Sequence, residues 1–406
     1  MLKTIDKFLK PKVLIILNRL VIGGQAIDTI PLLYRLKDHF ELLILYGCKE
    51  KDEMEASFLL DKFKDLRLIP MAHFKRKLNI FNDVRAFFFI SSTIRKFKPG
   101  VVHTHGLKSG VMGRIAAYLA GIKCIIHTFH GHHFHSYFSP FVSKFIILTE
   151  RLLSKITTKI IAISPEQKYE FGSIYKIAPP EKILVVPLGI DESLFQKHNE
   201  VARLNFRNRY SVHEKTIAIG IIGRIVPVKN YSLFTEVAAK ILAQTGEARK
   251  VKFFVIGDGQ EKKMVEAQLD KYNIPWCGQD DAGVDTDVIF TSWVTDVASA
   301  LHAMDVVVLT SHNEGTPLSL IEAQFCGKPV VATNVGGVKD TFINGESGFL
   351  VPSGDVKMFT EKLMLLVNND VLRMQMGGKA ADFAAKNFSK AKEIDSFRLL
   401  YQSCAK

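Results

Sequence analysis

The chain has 406 residues, 47% apolar and 23% charged, which excludes a disordered polymer and is too long for one ordinary core, so two domains of about 200 residues each are expected. Its net charge of +13 is lopsided: residues 1–200 hold 30 Lys and Arg against 18 Asp and Glu, and the remainder 24 against 23, so the first half suits an anionic surface or substrate. The five cysteines have neither metal nor redox spacing, no signal peptide is evident and no apolar run of about 20 residues occurs, so a reducing, cytosolic compartment without a membrane span is expected.

In chain order, the short apolar runs KVLIILN (12–18), ELLILYG (41–47), VVHTHG (101–106), KCIIHTF (123–129), KIIAIS (159–164) and ILVVPLG (183–189) read as buried parallel strands with amphipathic helices between them. The polar segment 191–216 interrupts the pattern. It restarts with TIAIGIIGR (216–224), KFFVIGDG (252–259), VIFTSW (288–293), DVVVLTS (305–311), KPVVAT (328–333) and GFLVP (348–352). This alternation predicts α/β architecture with two doubly wound parallel sheets. Ligands of such sheets bind at the carboxyl ends of the strands, where the unusual polar residues here cluster.

GRIVPVKN follows the first strand of the second half. Gly223 permits a tight turn, and Arg224 and Lys229 supply two cations near a helix start, which is what a diphosphate needs. The plainer reading is a solvated basic turn. In FFVIGDGQEKK, Gly257 and Gly259 form part of a dinucleotide fingerprint, but Lys262 stands where its third glycine belongs, so a simple strand-to-helix turn is expected.

EGTPLSLIEAQFC places Glu314 in a loop after a strand and Glu322 on the following helix. Thr316 is expected as the helix cap and Pro317 as its first residue. The helix start offers free N–H groups to a phosphate. Glu314 is suited to sugar hydroxyls and Glu322 to a ribose diol. The competing reading is a surface glutamate plus a helix salt bridge.

Together these stretches resemble the retaining family 4 glycosyltransferases of GT-B fold. Glu314 and Glu322 match the E-x7-E signature and GRIVPVKN the G-R-x4-K motif. The series GRIVPVKN, FFVIGDG, FTSWVTDV, SHNEGTPLSLIEA, KPVVATNVGGVKD and NGESGFLVP runs like that family's C-terminal domain. VHTHGLKSGVMGRIAAYLAGI resembles the N-terminal half of members that build bacterial capsule, exopolysaccharide or lipopolysaccharide.

The resemblance implies two Rossmann-like domains facing a central cleft: an acceptor domain over 1–195, a nucleotide-sugar domain over 196–385, and a helix over 386–406 packing back on the first. Arg224, Lys229 and Gly223 would hold the donor diphosphate, Glu314 the transferred sugar and Glu322 the ribose. The backbone of Gly315, Thr316, Pro317 and Leu318 would line sugar and phosphate, and Trp293 and Val294 would frame the base. The family's usual glycine in that last motif is Ser292 here. Gly23 and Gly24 match a loop that approaches the phosphate.

Seven histidines crowd VHTHG and HTFHGHHFH. They lack acidic or cysteine companions and a helical H-E-x-x-H spacing, so no metal site is expected. The resemblance places His130 at the catalytic site, with His127 as the alternative, and His132, His133 and His135 read as an exposed loop. Asp285-Thr286-Asp287 imitates a metal-binding D-x-D but precedes a strand, so a solvated loop is expected.

The implied reaction is transfer of a sugar from a nucleoside-diphosphate sugar, with UDP the favoured nucleotide, to a hydroxyl of a lipid-linked or glycan acceptor with retention of anomeric configuration. It implies no cofactor and no metal, with charge stabilisation by Arg224, Lys229 and helix amides. The basic, apolar stretches 75–89 and 141–160 suit an anionic membrane surface on the cytoplasmic face of the inner membrane, or else bury their apolar faces in the core. A sugar-nucleotide 2-epimerase of the same architecture is the alternative function. No nucleic-acid recognition module is present, so no nucleic-acid partner is expected.

Overall fold

The computed structural model describes residues 10–21, 24–50, 55–75, 78–131, 139–195, 200–246, 249–281 and 284–404. Its contacts divide the chain into two units, residues 1–189 with 390–406, and residues 190–389.

The first unit runs β1 (Lys12–Leu17), α1 (Gly24–Leu36), β2 (Glu41–Gly47), α2 (Ser57–Lys62), β3 (Leu68–Met71), α3 (Ile80–Phe97), β4 (Val101–His105), α4 (Leu107–Leu119), β5 (Cys124–Thr128), α5 (Pro140–Ile156), β6 (Lys159–Ala162), α6 (Pro165–Tyr169) and β7 (Ile183–Val185). The strands form one parallel sheet in the order β3-β2-β1-β4-β5-β6-β7. Alternate strand residues feed cores on its two faces, which is why the strands read as continuous apolar runs. Val13, Ile15 and Leu17 pack with Ile30 and Leu33 of α1. Leu14 and Ile16 pack with Ile90 and Ile94 of α3 and Ala116 of α4.

The second unit holds α7 (Glu200–Arg209), β8 (Ile217–Ile222), α8 (Tyr231–Thr245), β9 (Val251–Ile256), α9 (Lys262–Lys271), β10 (Trp276–Cys277), β11 (Val288–Ser292), α10 (Val297–Ala303), β12 (Val306–Leu309), α11 (Leu318–Phe325), β13 (Val330–Thr333), β14 (Gly348–Val351), α12 (Val356–Asn368) and α13 (Asp370–Asn387). Its parallel sheet has the order β10-β11-β9-β8-β12-β13-β14. In each sheet the winding reverses once, beside β1 and β4 in the first unit and beside β8 and β12 in the second. Those switch points are where such folds place ligands.

The last helix, α14 (Lys390–Cys404), belongs to the first unit. Phe397, Leu400 and Tyr401 are buried in the core shared with α1, and Lys390 bridges Asp28 of α1 at 2.8 Å and Glu393 at 2.6 Å. Cys124 and Cys404, 280 positions apart, are paired with their Cα atoms 5.7 Å apart. Sequence spacing gave no sign of this pair, because folding α14 onto the sheet creates it, so the scattered cysteines are not the argument for a reducing compartment that their spacing suggested.

The polar segment 191–216 is not a bare linker: it contains α7, whose Arg207 is buried and donates to the carbonyls of Ala303 and Thr216. The two strands absent from the sequence reading, β3 and β10, are edge strands. One contains Pro70 and the other is two residues long, so neither carries a long apolar run.

Candidate active site

At the second unit's switch point, β8 ends in Gly223 and β12 leads into the loop carrying Glu314. Gly223 has φ 144° and Gly257, after β9, has φ 136°. A Cβ on Gly257 would lie 2.1 Å from the Gly223 carbonyl oxygen, and one on Gly259 2.3 Å from that of Ile225. The glycines of FFVIGDG therefore serve close packing of one strand-end loop on the other.

That packing sets the path of the Gly223–Asn230 loop. Its Lys229 reaches Glu314, with Nζ donating to Oε1 at 2.6 Å, and Ser311 Oγ donates to the same oxygen at 2.6 Å. The backbone is tied as well: His312 N–H donates to the Val228 carbonyl, and Thr310 Oγ1 to that of Lys229. Asn230, left-handed at φ 49°, turns the chain into α8 and caps it through Oδ1. Arg224 is exposed, next to Gly223, and makes no ion pair or hydrogen bond among the described residues.

The start of α11 differs from expectation. Pro317, at φ −73° and ψ 106°, is the N-cap residue and Leu318 the first helical one, with no side-chain cap. Thr316 is therefore not the cap: an extended Pro317 shifts the helix start one residue on, and Thr316 Oγ1 is buried without a partner among the described residues. Open amides and an unpartnered hydroxyl beside a Lys–Glu pair form a polar corner able to take an anion.

Glu322 lies on the second turn of α11, half-buried. Burial pushes its carboxyl up to about 7. Among the described residues its side chain makes no ion pair or hydrogen bond, so the helix salt bridge considered from sequence does not form. Such an acid is poised to accept hydroxyl donors.

At the end of β11, Ser292 is left-handed at φ 55°, and its hydroxyl donates to Asp258 Oδ2 at 3.0 Å. That backbone explains why a glycine suits the position and shows how a serine meets its demand. Trp293 is 39% exposed, and Val294 packs against the core of this unit. Gly315 is half-buried, and Leu318 packs on the same core. Asp285 pairs with Lys252 at 2.9 Å at the far, amino end of β11, away from these loops.

In the first unit, the histidines separate by depth. His103 is fully buried, 2.6 Å from the Tyr401 hydroxyl and 2.7 Å from Thr128 Oγ1, and burial lowers its pKa to about 3. His127 is buried under α4 and 2.8 Å from Thr104 Oγ1, so it is an interior residue and not an alternative to His130. His105 ends β4, and its Nδ1 lies 2.7 Å from Nε2 of His130, which follows β5 and is half-buried. Sequence reasoning missed this contact, although the VHTHG run placed His105 at a strand end. Gly24 opens α1 and is exposed. Gly23, His132, His133 and His135 lie outside the described residues. Among the described residues no three His, Cys, Asp or Glu are grouped as a metal site.

These observations define a two-unit α/β protein with a polar, anion-suited corner at the second switch point. Residues 203–383 match the family model for group 1 glycosyl transferases, and residues 23–194 that for glycosyltransferase family 4. The chain belongs to the family 4 glycosyltransferases, and it is a glycosyltransferase of GT-B fold.

It is 30% identical over 326 residues, 80% of this chain and 81% of the other, to the Escherichia coli UDP-Gal:alpha-D-GlcNAc-diphosphoundecaprenol alpha-1,3-galactosyltransferase. It is 29% identical over 342 residues, 84% of this chain and 85% of the other, to the Staphylococcus aureus capsular polysaccharide biosynthesis glycosyltransferase CapM. Among solved structures, Anabaena HepE in complex with UDP matches with a TM-score of 0.78 at 19% identity, covering 97% of this chain and all of that one. All three are similar proteins, and none points to an epimerase.

Proposed function

We propose that this enzyme transfers a sugar from a nucleoside-diphosphate sugar, with UDP as the nucleotide, to a hydroxyl of a lipid-linked or glycan acceptor in surface polysaccharide biosynthesis, with retention of configuration. The observation that carries this reading is the Lys229–Glu314 pair beside the open amino end of α11 at a switch point. The diphosphate draws Lys229 to itself together with Arg224 and the α11 amides. Glu314, released from the lysine, accepts hydroxyls of the transferred sugar. Glu322 accepts the ribose diol, Trp293 and Val294 border the base, and His130 is the catalytic histidine that the first unit contributes by the family resemblance. The fixed positive groups stabilise the leaving diphosphate, and no metal is required. The E. coli relative, named for a UDP-sugar donor and a diphosphoundecaprenol-linked acceptor, and the UDP complex of HepE support the choice of donor and acceptor class.

A membrane surface enters as the acceptor's location, on the cytoplasmic face. No helix among the described residues is long and apolar enough to cross a membrane. Instead, Phe81 and Phe88 of α3 are 83% and 65% exposed, and Phe141 and Phe145 of α5 are 83% and 66% exposed. Arg85, Lys144 and Lys155 are exposed on the same two helices, so basic and apolar side chains share their outer surfaces, as interfacial binding requires.

The test is a thermal-shift panel of UDP-, GDP- and ADP-sugars, because a bound donor raises stability by mass action. Turnover of the stabilising donor onto a polyprenyl-diphosphate sugar follows, with and without EDTA, and NMR gives the anomeric configuration of the product. Stabilisation by a UDP-sugar and an EDTA-insensitive, retained product are expected. No shift with any donor, or an inverted product, would overturn the reading.

A further inference from the structure

We propose that His105 is a positioning residue: it donates its Nδ1 proton to His130 and so fixes His130 as the Nδ1–H tautomer. The importance of this for catalysis rests on the reading above that makes His130 the catalytic histidine; the tautomer itself does not.

His105 is 2% exposed, and its ring stacks on that of His130 at 20° with centroids 5.0 Å apart. Two ring nitrogens 2.7 Å apart share one proton, so one must be an N–H and the other a lone pair. The other nitrogen of His105, Nε2, decides which. It is buried and has no hydrogen-bond partner among the described residues. His105 is neutral, because burial first, and then the neighbouring His103, His130 and His127, hold its pKa well below the usual value. A neutral imidazole carries one proton. Placed on Nε2, that proton would be a buried N–H with no acceptor, at a cost of about 1–3 kcal/mol. Placed on Nδ1, it makes the bond to His130 and leaves only an unfilled lone pair at Nε2, the lesser fault.

The surroundings agree. The small cavity beside His105 and His130 is also walled by Thr29, Asp28 and Glu393. Thr29 has an unpartnered buried hydroxyl, a donor suited to a lone pair. Asp28 and Glu393 are already engaged by Lys390, at 2.8 and 2.6 Å. His103, whose ring centroid is 4.0 Å from that of His105, is itself fixed between Tyr401 and Thr128.

With its Nε2 lone pair occupied, neutral His130 carries its proton on Nδ1. In the catalytic role given to it above, such a histidine acts as a hydrogen-bond donor and not as a base that takes the acceptor's proton. A histidine donor suits a sugar hydroxyl oxygen, which it holds in place without taking a proton.

The experiment is long-range 1H–15N correlation on 15N-histidine-labelled protein, with the His130 signals assigned from a His130→Gln variant. A protonated Nδ1 and bare Nε2 are expected for both His105 and His130, and the His130 preference should be lost in His105→Phe. An Nε2–H tautomer at His105 would overturn the proposal, and this readout needs no substrate. In the wild-type donor assay, His105→Asn, which keeps a donor near the Nδ1 position, should hold kcat within about threefold. His105→Phe should lose at least tenfold in kcat at unchanged melting temperature. Equal losses in the two variants, or none in His105→Phe, would refute positioning. If the wild-type protein turns over no donor, the catalytic reading fails while the tautomer result stands.

Discussion

Lys229 and Glu314 are 85 positions apart in sequence, and the fold brings Nζ and Oε1 to 2.6 Å. Each neutralises the other where the second sheet reverses its winding, and the Ser311 hydroxyl donates to the same carboxylate oxygen. In the function proposed above, an incoming diphosphate takes the place of the carboxylate beside Lys229.

Removing either member should therefore strike catalysis harder than stability. Lys229→Ala and Glu314→Ala are each expected to lower kcat by about 10²–10³, the usual range for a preorganised charge aimed at a leaving group or sugar. Their combination should fall short of the product of the two losses, since they act as a unit. Steady-state kinetics with the stabilising donor, alongside thermal melts, measures both effects. Near-wild-type rates in both single variants would remove this corner from the active site.

Glu322 gives the donor complex a pH signature. Burial raises its carboxyl from 4.5 to about 7 in the empty protein, so the fold favours the neutral form. That favourable contribution is complete below pH 4.5 and is lost as pH rises through 7, the loss amounting to about 3 kcal/mol above that pH. Ribose hydroxyls need the carboxylate as acceptor. Nucleotide affinity should thus increase from pH 6 to 8, with proton release on binding near pH 6.5. Calorimetry in two buffers of different ionisation enthalpy detects the release, and Glu322→Gln should abolish it. A pH-independent affinity in the wild type would assign Glu322 another role.

Arg114 of α4 and Glu150 of α5 form a fully buried ion pair, with both carboxylate oxygens 2.8 Å from Nη2. Arg114 Nε also donates to the Gly110 carbonyl. Burial alone raises the pKa of Glu150 and lowers that of Arg114, so the two need each other. Arg114→Leu should cost about 3–5 kcal/mol by stranding a buried carboxylate, whereas Arg114→Leu with Glu150→Leu should recover most of it. Urea denaturation reads both. An additive double variant would mean that the pair is not coupled.

Exposed Phe81, Phe88, Phe141 and Phe145 predict salt-sensitive binding to anionic vesicles. Co-sedimentation with phosphatidylglycerol vesicles is expected at low ionic strength, with much less at 0.5 M salt. Changing Phe141 and Phe145 to Ser should weaken it about tenfold without altering the melting temperature. No co-sedimentation of the wild type at low salt would rule out peripheral attachment.

Much of this was legible before any coordinates. The strand runs come from residues buried on both faces of a parallel sheet, and that burial writes itself into sequence as uninterrupted Val, Ile and Leu. The glycines at 223 and 257 announce strand-end turns because only glycine accepts φ near 140° there. Glu314, Arg224 and Lys229 stand out because charged groups beside apolar runs must lie at strand ends, and Glu322 because it is a charge among the apolar residues of a helix. What the sequence left open depends on partners distant along the chain. Whether α3 and α5 bury or expose their phenylalanines is decided by how much of each helix the sheet covers. Whether Thr316 caps α11 follows from the backbone angles of Pro317. That Cys124 meets Cys404, that Lys229 rests on Glu314, and that His105 reaches His130 while His127 is sealed under α4, are products of register and crossover. Local pattern determined which residues lie inside and which end a strand, because burial and backbone preference act over a few positions. Tertiary structure alone decided which of those residues touch, because contact depends on chain paths that no short window of sequence contains.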